Sequence, residues 1–282
     1  MRRFPLHGWL GVGLVAVYWY LNWTLDGPRT HLLFFPLWLG YVLAVDGLVL
    51  RRSGTSLLAR SGRDLAALFA VSVPIWWLFE LLNERLESWR YVGGEEITGL
   101  QYAVLASLSF STVVPAVFET AELLRTFGWT ERFARGPRLP DSNPWRLGYL
   151  ALGAVMLALL LAWPRRFYPL CWLALLFFAE PVCRWLGRRS LLFHLRDGDW
   201  RPAVSLALAG LVCGVFWELW NSRSYPYWVY DTPGWDFWHV FQMPFFGYFG
   251  YLPFGLELYP LAHLLLPWRP ELRLAGGPDE GE

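Results

Sequence analysis

The sequence predicts an all-α, polytopic integral membrane protein with eight transmembrane helices arranged as two parallel four-helix repeats. Three observations predict this class: the apolar composition, the number of long apolar stretches, and a set of polar residues that recurs at one distance along the chain. Of the 282 residues, 55% are hydrophobic and 17% are charged, and the mean hydropathy is +0.31. Such a composition is too apolar for an ordinary soluble domain.

Eight apolar stretches are long enough to cross the hydrocarbon core of a bilayer, which takes about 20 helical residues. They are residues 8–25, 31–50, 64–86, 98–124, 146–163, 167–186, 201–221 and 237–266. No small-residue cleavage site follows the first stretch, so we expect an uncleaved helix there rather than a signal peptide.

Polar residues of the first half recur in the second half 138 residues later. The pairs are Glu80 and Glu218, Asn83 and Asn221, Arg85 and Arg223, Pro115 and Pro253, and Glu119 and Glu257. With a slip of one residue, Trp89-x-Tyr91 recurs as Trp228-x-Tyr230. A single register of this kind indicates a tandem duplication. Because each copy has an even number of helices, both copies enter the membrane from the same side, and we expect a pseudo-two-fold axis along the membrane normal.

The duplication divides the chain into four parts. They are a first four-helix membrane repeat at 1–125, a cytoplasmic linker at 126–145, a second four-helix membrane repeat at 146–269 and a disordered cytoplasmic tail at 270–282. The linker is predicted because Pro, Gly and Asp turn signals alternate with arginines there. The tail is acidic and rich in glycine, a composition that does not support a packed core.

The distribution of basic residues predicts the topology. All 24 basic residues are arginine, and a cytoplasmic N-terminus puts 18 of them on the inner side. The positive-inside rule therefore predicts a multi-pass protein of the cell's inner (cytoplasmic) membrane with both termini in the cytoplasm. Membrane lipids are the expected partners, since clustered arginines suit anionic headgroups. The net charge of +1 argues against a nucleic-acid partner, and a partner within a membrane complex stays open.

A first candidate site lies in the outer third of the bilayer. Its members are Glu80, Asn83 and Arg85 in the first copy and Glu218, Asn221 and Arg223 in the second. In each copy the amide follows the carboxylate by three residues and shares its helical face. One interpretation is a hydrogen-bonded clamp between helices. The other is a pocket for an anionic headgroup or phosphate, in which the glutamate acts as acid or base.

The aromatic residues of the outer connections also allow two interpretations. Tryptophan and tyrosine form belts at membrane interfaces, and they can equally form a lid over a cavity that opens outward.

A second candidate site lies in the inner half of the membrane. Glu119 and Glu257 each follow a helix-bending proline by four residues, on the same helical face. Asp46 and Glu180 lie at comparable depth near the ends of their helices, so we expect the four carboxylates to converge. Pairing with nearby arginines is one interpretation, and a protonated carboxyl that serves as a general acid is the other.

Neither a metal nor a cofactor is predicted. No His or Asp stands three or four residues from the intramembrane glutamates to complete a helical ligand motif. No helix carries two histidines at ligand spacing, and the chain has no Gly-rich phosphate loop.

The order of motifs within each copy carries a resemblance to a known family. An acidic residue late in one helix is followed by Trp-x-Tyr and then by a helix with a proline and a glutamate, over residues 64–124 and 202–266. This order resembles the membrane lycopene cyclase domain of carotenoid biosynthesis. The family has Pro-x-Glu-Glu where this chain has one glutamate four residues after the proline. The resemblance implies a membrane enzyme that acts on a long isoprenoid by protonating a double bond.

Together these observations predict a membrane enzyme or binding protein for a hydrophobic lipid or isoprenoid, acting as a cofactor-independent cyclase or isomerase. The candidate acids are Glu119, Glu257, Glu80 and Glu218. The candidate binding residues are Asn83, Asn221, Arg85, Arg223, Trp89, Tyr91, Trp228, Tyr230, Asp46 and Glu180. The alternatives are a proton- or ion-coupled transporter or channel, whose two carboxylate layers form a path, and a structural subunit of a membrane complex.

Overall fold

The computed structural model describes residues 3–93, 97–234 and 236–266, so the predicted tail at 270–282 lies outside the described residues. The described chain is mostly helical. Six of its helical segments are long and apolar enough to cross a membrane: Thr30–Ser53, Gly62–Leu86, Gly99–Arg125, Asn143–Ala162, Pro164–Trp185 and Arg201–Asn221. The protein is therefore a multi-pass helical membrane protein, as its composition predicts.

The α-helices are α1 (Leu6–Thr24), α2 (Phe34–Ser53), α3 (Leu57–Arg60), α4 (Gly62–Leu86), α5 (Gly99–Phe110), α6 (Val113–Arg125), α7 (Asn143–Ala162), α8 (Pro164–Phe167), α9 (Cys171–Trp185), α10 (Leu191–Leu195), α11 (Arg201–Asn221) and α12 (Tyr251–Leu265). The strands are β1 (Trp89–Val92), β2 (Tyr227–Tyr230), β3 (His239–Val240) and β4 (Met243–Pro244). Short 3₁₀ helices cover Pro28–Leu32, Gly128–Phe133, Tyr168–Leu170 and Phe245–Gly250.

Two of the eight predicted spans, 8–25 and 237–266, are not among these six helical segments, and the span at 98–124 is interrupted. The stretch at 98–124 is divided between α5 and α6, because the hydroxyls of Ser111 and Thr112 donate to the carbonyls of Leu108 and Ser109 and end the first helix. The stretch at 237–266 begins as a hairpin and a 3₁₀ helix. Its α-helix, α12, has 15 residues and is about 22 Å long at 1.5 Å per residue, shorter than a hydrocarbon core of about 30 Å.

Helices α6 and α12 are the central pair of the bundle. Helix α6 packs against α2, α4 and α11, and α12 packs against α9, α11 and α4. The contact between α11 and α12 brings backbones together, because a Cβ atom on Gly255 would lie 2.2 Å from the carbonyl oxygen of Leu206. A Cβ atom on Gly210 would likewise lie 2.2 Å from the carbonyl oxygen of Tyr251.

One end of the bundle is aromatic, and we call it the aromatic end; it carries β1, β2 and residues 222–234 and 236–250. Strands β1 and β2 pair antiparallel, with Trp89 opposite Tyr230 and Tyr91 opposite Trp228. This ribbon ties the connection after α4 to the connection after α11, so it brings the two Trp-x-Tyr motifs side by side.

The other end carries residues 54–61, 126–142 and 186–200, and we call it the arginine-rich end. Here Asp46 accepts hydrogen bonds from the Ser56 hydroxyl and the Leu58 amide, both at 2.9 Å. Glu180 accepts from the amides of Leu191 and Leu192 at 2.9 and 2.8 Å. Each carboxylate therefore binds the N-terminus of a short helix, where free N–H groups favour negative charge.

Asp141 organises the linker at the arginine-rich end. Its carboxylate accepts hydrogen bonds from Arg146 at 2.6 Å and Arg184 at 2.9 Å, and Arg196 lies 3.7 Å away. Burial opposes the charged form of Asp141, but the hydrogen bonds from Arg146 and Arg184 outweigh it and lower the pKa of the carboxyl.

Replacing Gly255 with alanine tests the close contact between α11 and α12. The new methyl group would collide with the backbone of α11, so we expect Gly255→Ala to lower the free energy of unfolding by about 1–3 kcal/mol. Gly148→Ala is the matched control, since a Cβ at Gly148 meets nothing within 4 Å. Unfolding in detergent should show a loss for the first variant only, and equal effects would contradict this contact.

Replacing Asp141 with asparagine tests the ion cluster at the arginine-rich end. A carboxyl whose folded pKa is lowered stabilises the fold at every pH above its unfolded pKa of about 3.9. That stabilisation disappears as the pH falls through the lower folded pKa. We therefore expect Asp141→Asn to reduce the melting temperature at neutral pH, with the difference closing below about pH 3.9. Asp197→Asn, at an exposed carboxylate beside Arg196, should have no such effect.

Candidate functional site

The candidate site is a cavity of about 600 Å³ at the aromatic end. Its wall is formed by α4, α5, α11 and α12, by the β1–β2 ribbon, and by the 3₁₀ helix at Phe245–Gly250. The wall is predominantly apolar and rich in aromatic rings. A volume in the range of about 300–1,000 Å³ is typical of sites for small molecules.

The rings of the cavity wall form one connected cluster. Phe254 contacts Trp76, Trp172 and Trp217, with ring centroids 5.9, 5.5 and 6.0 Å apart. Trp89 stacks on Trp172 at 6.1 Å. Such rings present their negative π faces to a bound group, and a cation or a developing positive charge is favoured there.

Glu80 lies behind this wall and is held by three donors. Its Oε1 atom accepts hydrogen bonds from the indole nitrogens of Trp76 at 2.9 Å and Trp89 at 3.1 Å, and from the hydroxyl of Tyr91 at 2.6 Å. All three donors line the cavity. Glu80, Trp89 and Tyr91 are candidate residues from sequence with no predicted contact between them, and the structure joins them by hydrogen bonds.

Glu218 has the corresponding position in the second half and is fully buried. Its Oε1 atom accepts from the indole nitrogen of Trp228 at 3.3 Å and from the hydroxyls of Tyr230 at 2.6 Å and Tyr251 at 2.7 Å. Its Oε2 atom is buried and has no hydrogen-bond partner within the described part of the chain. The donors again line the cavity.

The two asparagines position the ribbon rather than the cavity contents. The side-chain amide of Asn83 donates to the Trp89 carbonyl at 2.8 Å and accepts from the Ser88 and Trp89 amides. Asn221 donates to the Trp228 carbonyl and accepts from the Trp228 amide, both at 2.8 Å. Neither asparagine lines the cavity, so the structure gives them the role of anchors and not the binding role expected from sequence.

The structure does not bring Arg85 and Arg223 together. Arg85 donates to the carbonyl of Leu161 at 3.0 Å, and the guanidinium of Arg223 lies 5.2 Å from the ring centroid of Trp23. Neither arginine lines the cavity. The expected pocket with paired arginines for a phosphate is therefore not assembled.

The four inner carboxylates also do not converge on one point. Glu119 faces Asp46 and Glu122 in the first half, whereas Glu257 lies beside Cys171 and Leu176 in the contact between α12 and α9. Both glutamates are fully buried, and neither lines the cavity. Depth along a helix was a correct guide to burial here, but it could not tell which neighbour each carboxylate faces.

Three functional residues escape the sequence reasoning. Trp76 stands one turn before Glu80, and this spacing is a signal that could have found it. Glu122 is buried and forms an ion pair with Arg60, and its position three residues after Glu119 was a weaker signal. Tyr251 comes from a helix that is distant in sequence from Glu218, so no local pattern marks it.

Within the residues that the structure describes, no group of three or more His, Cys, Asp and Glu side chains could hold a metal ion. Comparisons with known protein families, with curated proteins and with solved structures give no match to this chain. The function must therefore be argued from the geometry of the cavity and its carboxylates.

Replacing Asn221 with alanine tests the anchor of the ribbon. Asn221 is fully buried, and its loss leaves the Trp228 amide and carbonyl without partners, which costs about 1–3 kcal/mol. We expect a corresponding fall in the free energy of unfolding and a change in tryptophan fluorescence. The control is Asn143→Ala, at an exposed asparagine that accepts from Trp185; an equal loss in both variants would contradict the anchoring role.

Proposed function

We propose that this protein binds a hydrophobic lipid or isoprenoid in the cavity of the aromatic end and acts on it as a cofactor-independent cyclase or isomerase. The observation that carries the proposal is the combination of an aromatic cavity of about 600 Å³ with two carboxylates directly behind its wall. An apolar chain suits the apolar wall of the cavity, and the tyrosine hydroxyls lie between the carboxylates and a molecule bound in the cavity.

The chemistry of the wall supports this class of reaction. Protonation of a carbon–carbon double bond produces a carbocation, and ring faces stabilise positive charge without acting as nucleophiles. The resemblance to the membrane lycopene cyclase domain points to the same chemistry. The acid is to be sought between Glu80 and Glu218, because the donors of these two glutamates line the cavity whereas Glu119 and Glu257 lie elsewhere.

We also propose that the chain is a tandem duplication of two parallel four-helix units with eight spans. The support comes from matched contacts: Glu80 and Glu218 share the same kinds of strand donors, and Asp46 and Glu180 each bind the start of a short helix. In this topology the arginine-rich end faces the cytoplasm, together with both termini, and the aromatic end faces outward.

Proton transport is a second candidate function, because polar side chains lie between Glu119 in the inner layer and the helix that carries Glu218. Thr120, next to Glu119, shares a hydrogen bond of 2.8 Å with the Tyr41 hydroxyl and lies 3.5 Å from the sulfur of Cys213. Cys213 stands on the same helix as Glu218. A proton path between the two carboxylate layers would use these groups.

Filling the cavity tests the main proposal. Ala106 lines the cavity on α5, so Ala106→Trp should exclude the occupant; Ala151→Trp, on the exposed face of α7, is the matched control. Mass spectrometry of organic extracts from the purified proteins should find a discrete lipid or polyene in the wild type and the control but not in Ala106→Trp. Bulk phospholipid alone in all three would overturn the proposal, and proton flux into liposomes that Glu119→Gln abolishes would then support transport.

A further inference from the structure

The two carboxylate sites agree in two donors and differ in the third. In both halves the strand supplies one indole and one phenol to Oε1. The third donor of Glu80 is the indole of Trp76, from the same helix. The third donor of Glu218 is the phenol of Tyr251, from α12.

The third donors do not stand at equivalent positions of the 138-residue register. The position 138 residues after Trp76 is Gly214, and the position 138 residues before Tyr251 is Val113. A Cβ atom on Gly214 would lie 2.3 Å from Cδ2 of Tyr251, so a large side chain there would displace the tyrosine ring. Each half thus retains three donors. In the first half the third donor is a large side chain on the glutamate's own helix, α4, and in the second half it is a large side chain on the facing helix, α12.

The difference changes what the site can do chemically. An indole N–H donates a hydrogen bond but cannot accept one, whereas a phenol both donates and accepts. The Tyr251 hydroxyl lies 2.7 Å from Oε1 of Glu218 and 3.3 Å from the hydroxyl of Tyr230, and both tyrosines line the cavity. A proton can therefore pass between Glu218 and the cavity through either of two phenols, Tyr251 or Tyr230, whereas Glu80 has a single phenol, Tyr91, between it and the cavity.

Burial separates the two glutamates further. Glu218 is fully buried and its Oε2 atom has no partner in the described chain, whereas Glu80 is partly exposed. Oε2 of Glu218 is the atom on which a proton can sit without competing with the three hydrogen bonds to Oε1.

We propose that the two halves have different roles: Glu218 with Tyr251 delivers a proton to the cavity, and Glu80 with Trp76 is a fixed anchor for the wall. That the proton passes to a lipid or isoprenoid bound in the cavity rests on the proposed function. In the transfer step the Tyr251 O–H bond breaks as a C–H bond forms on one carbon of a double bond. Rotation of the Glu218 carboxyl group turns its protonated oxygen towards Tyr251, and that proton passes to the phenol oxygen. Glu218 is left as a carboxylate, and the neighbouring carbon becomes a cation. Loss of an adjacent C–H proton along the same route restores both groups, so no oxidant or reductant is required.

The proton on Glu218 can be tested without any substrate. Infrared spectra of the whole protein in phospholipid vesicles should contain a carboxylic acid C=O band that disappears in Glu218→Gln and shifts in Tyr251→Phe. Glu80→Gln and Trp76→Phe, the matched variants of the first half, should leave that band unchanged. Tyr251→Phe retains the ring that packs on Gly214 and so is expected to fold. Loss of the band in Glu80→Gln instead, or no shift in Tyr251→Phe, would overturn the proposal.

Turnover provides the second readout, with lycopene in deuterated buffer as the probe. We expect Tyr251→Phe to bind the polyene at the wild-type level but to lose about 100-fold or more of deuterium incorporation into product, the usual range for losing a general acid. Because Trp76 also lines the cavity, Trp76→Phe is compared per bound polyene: its loss of incorporation should be smaller than that of Tyr251→Phe, and equal losses would contradict the division of roles. If the wild type does not convert lycopene, the cyclase function fails for this substrate, while the infrared result still decides the role of Glu218.

Discussion

The hydrogen bonds that aromatic side chains donate to Glu80 and Glu218 are the interaction on which the rest of the aromatic end depends. A carboxylate among apolar helices has no water to bind, so its hydrogen bonds must come from protein. Here indoles and phenols supply them, and the strands that carry these rings are then held in place by Asn83 and Asn221. The same rings form the wall of the cavity. Satisfying the buried Glu218 and the partly exposed Glu80 therefore also shapes the candidate site.

The arginine-rich end meets the same constraint by different means. Asp46 and Glu180 bind the starts of short helices, and Asp141 is bound by arginines from α7 and from α9. Between the two ends the helices pack closely where glycine permits it, as between Gly210 and Gly255. Polar contacts at both ends and close backbone contact between α11 and α12 thus hold the bundle together. The cavity lies at the aromatic end.

A cavity of this kind suits chemistry in which charge appears on an apolar molecule. Ring faces favour a cation, and a carboxyl behind the rings can supply a proton through a phenol. The contact made by Tyr251 distinguishes the second half from the first, where Trp76 stands in its place. The two glutamate sites share a strand indole and a strand phenol and differ in the third donor, so the proposed chemistry at Glu218 needs no change in the contacts that the strands make.

The sequence by itself determined the membrane class and the matching spacing of Glu80 with Glu218 and of the two Trp-x-Tyr motifs, because composition and spacing are read along the chain. That each motif donates to its glutamate was decided by the tertiary structure. The division of the stretch at 98–124, the hairpin before α12 and the positions of Glu119, Glu257, Arg85 and Arg223 depended on the tertiary structure. Spacing gives depth along a helix but not the neighbour that a side chain faces. Tyr251 reaches Glu218 only because Gly210, Gly214 and Gly255 let α12 approach α11, and that approach is a property of two helices packed together.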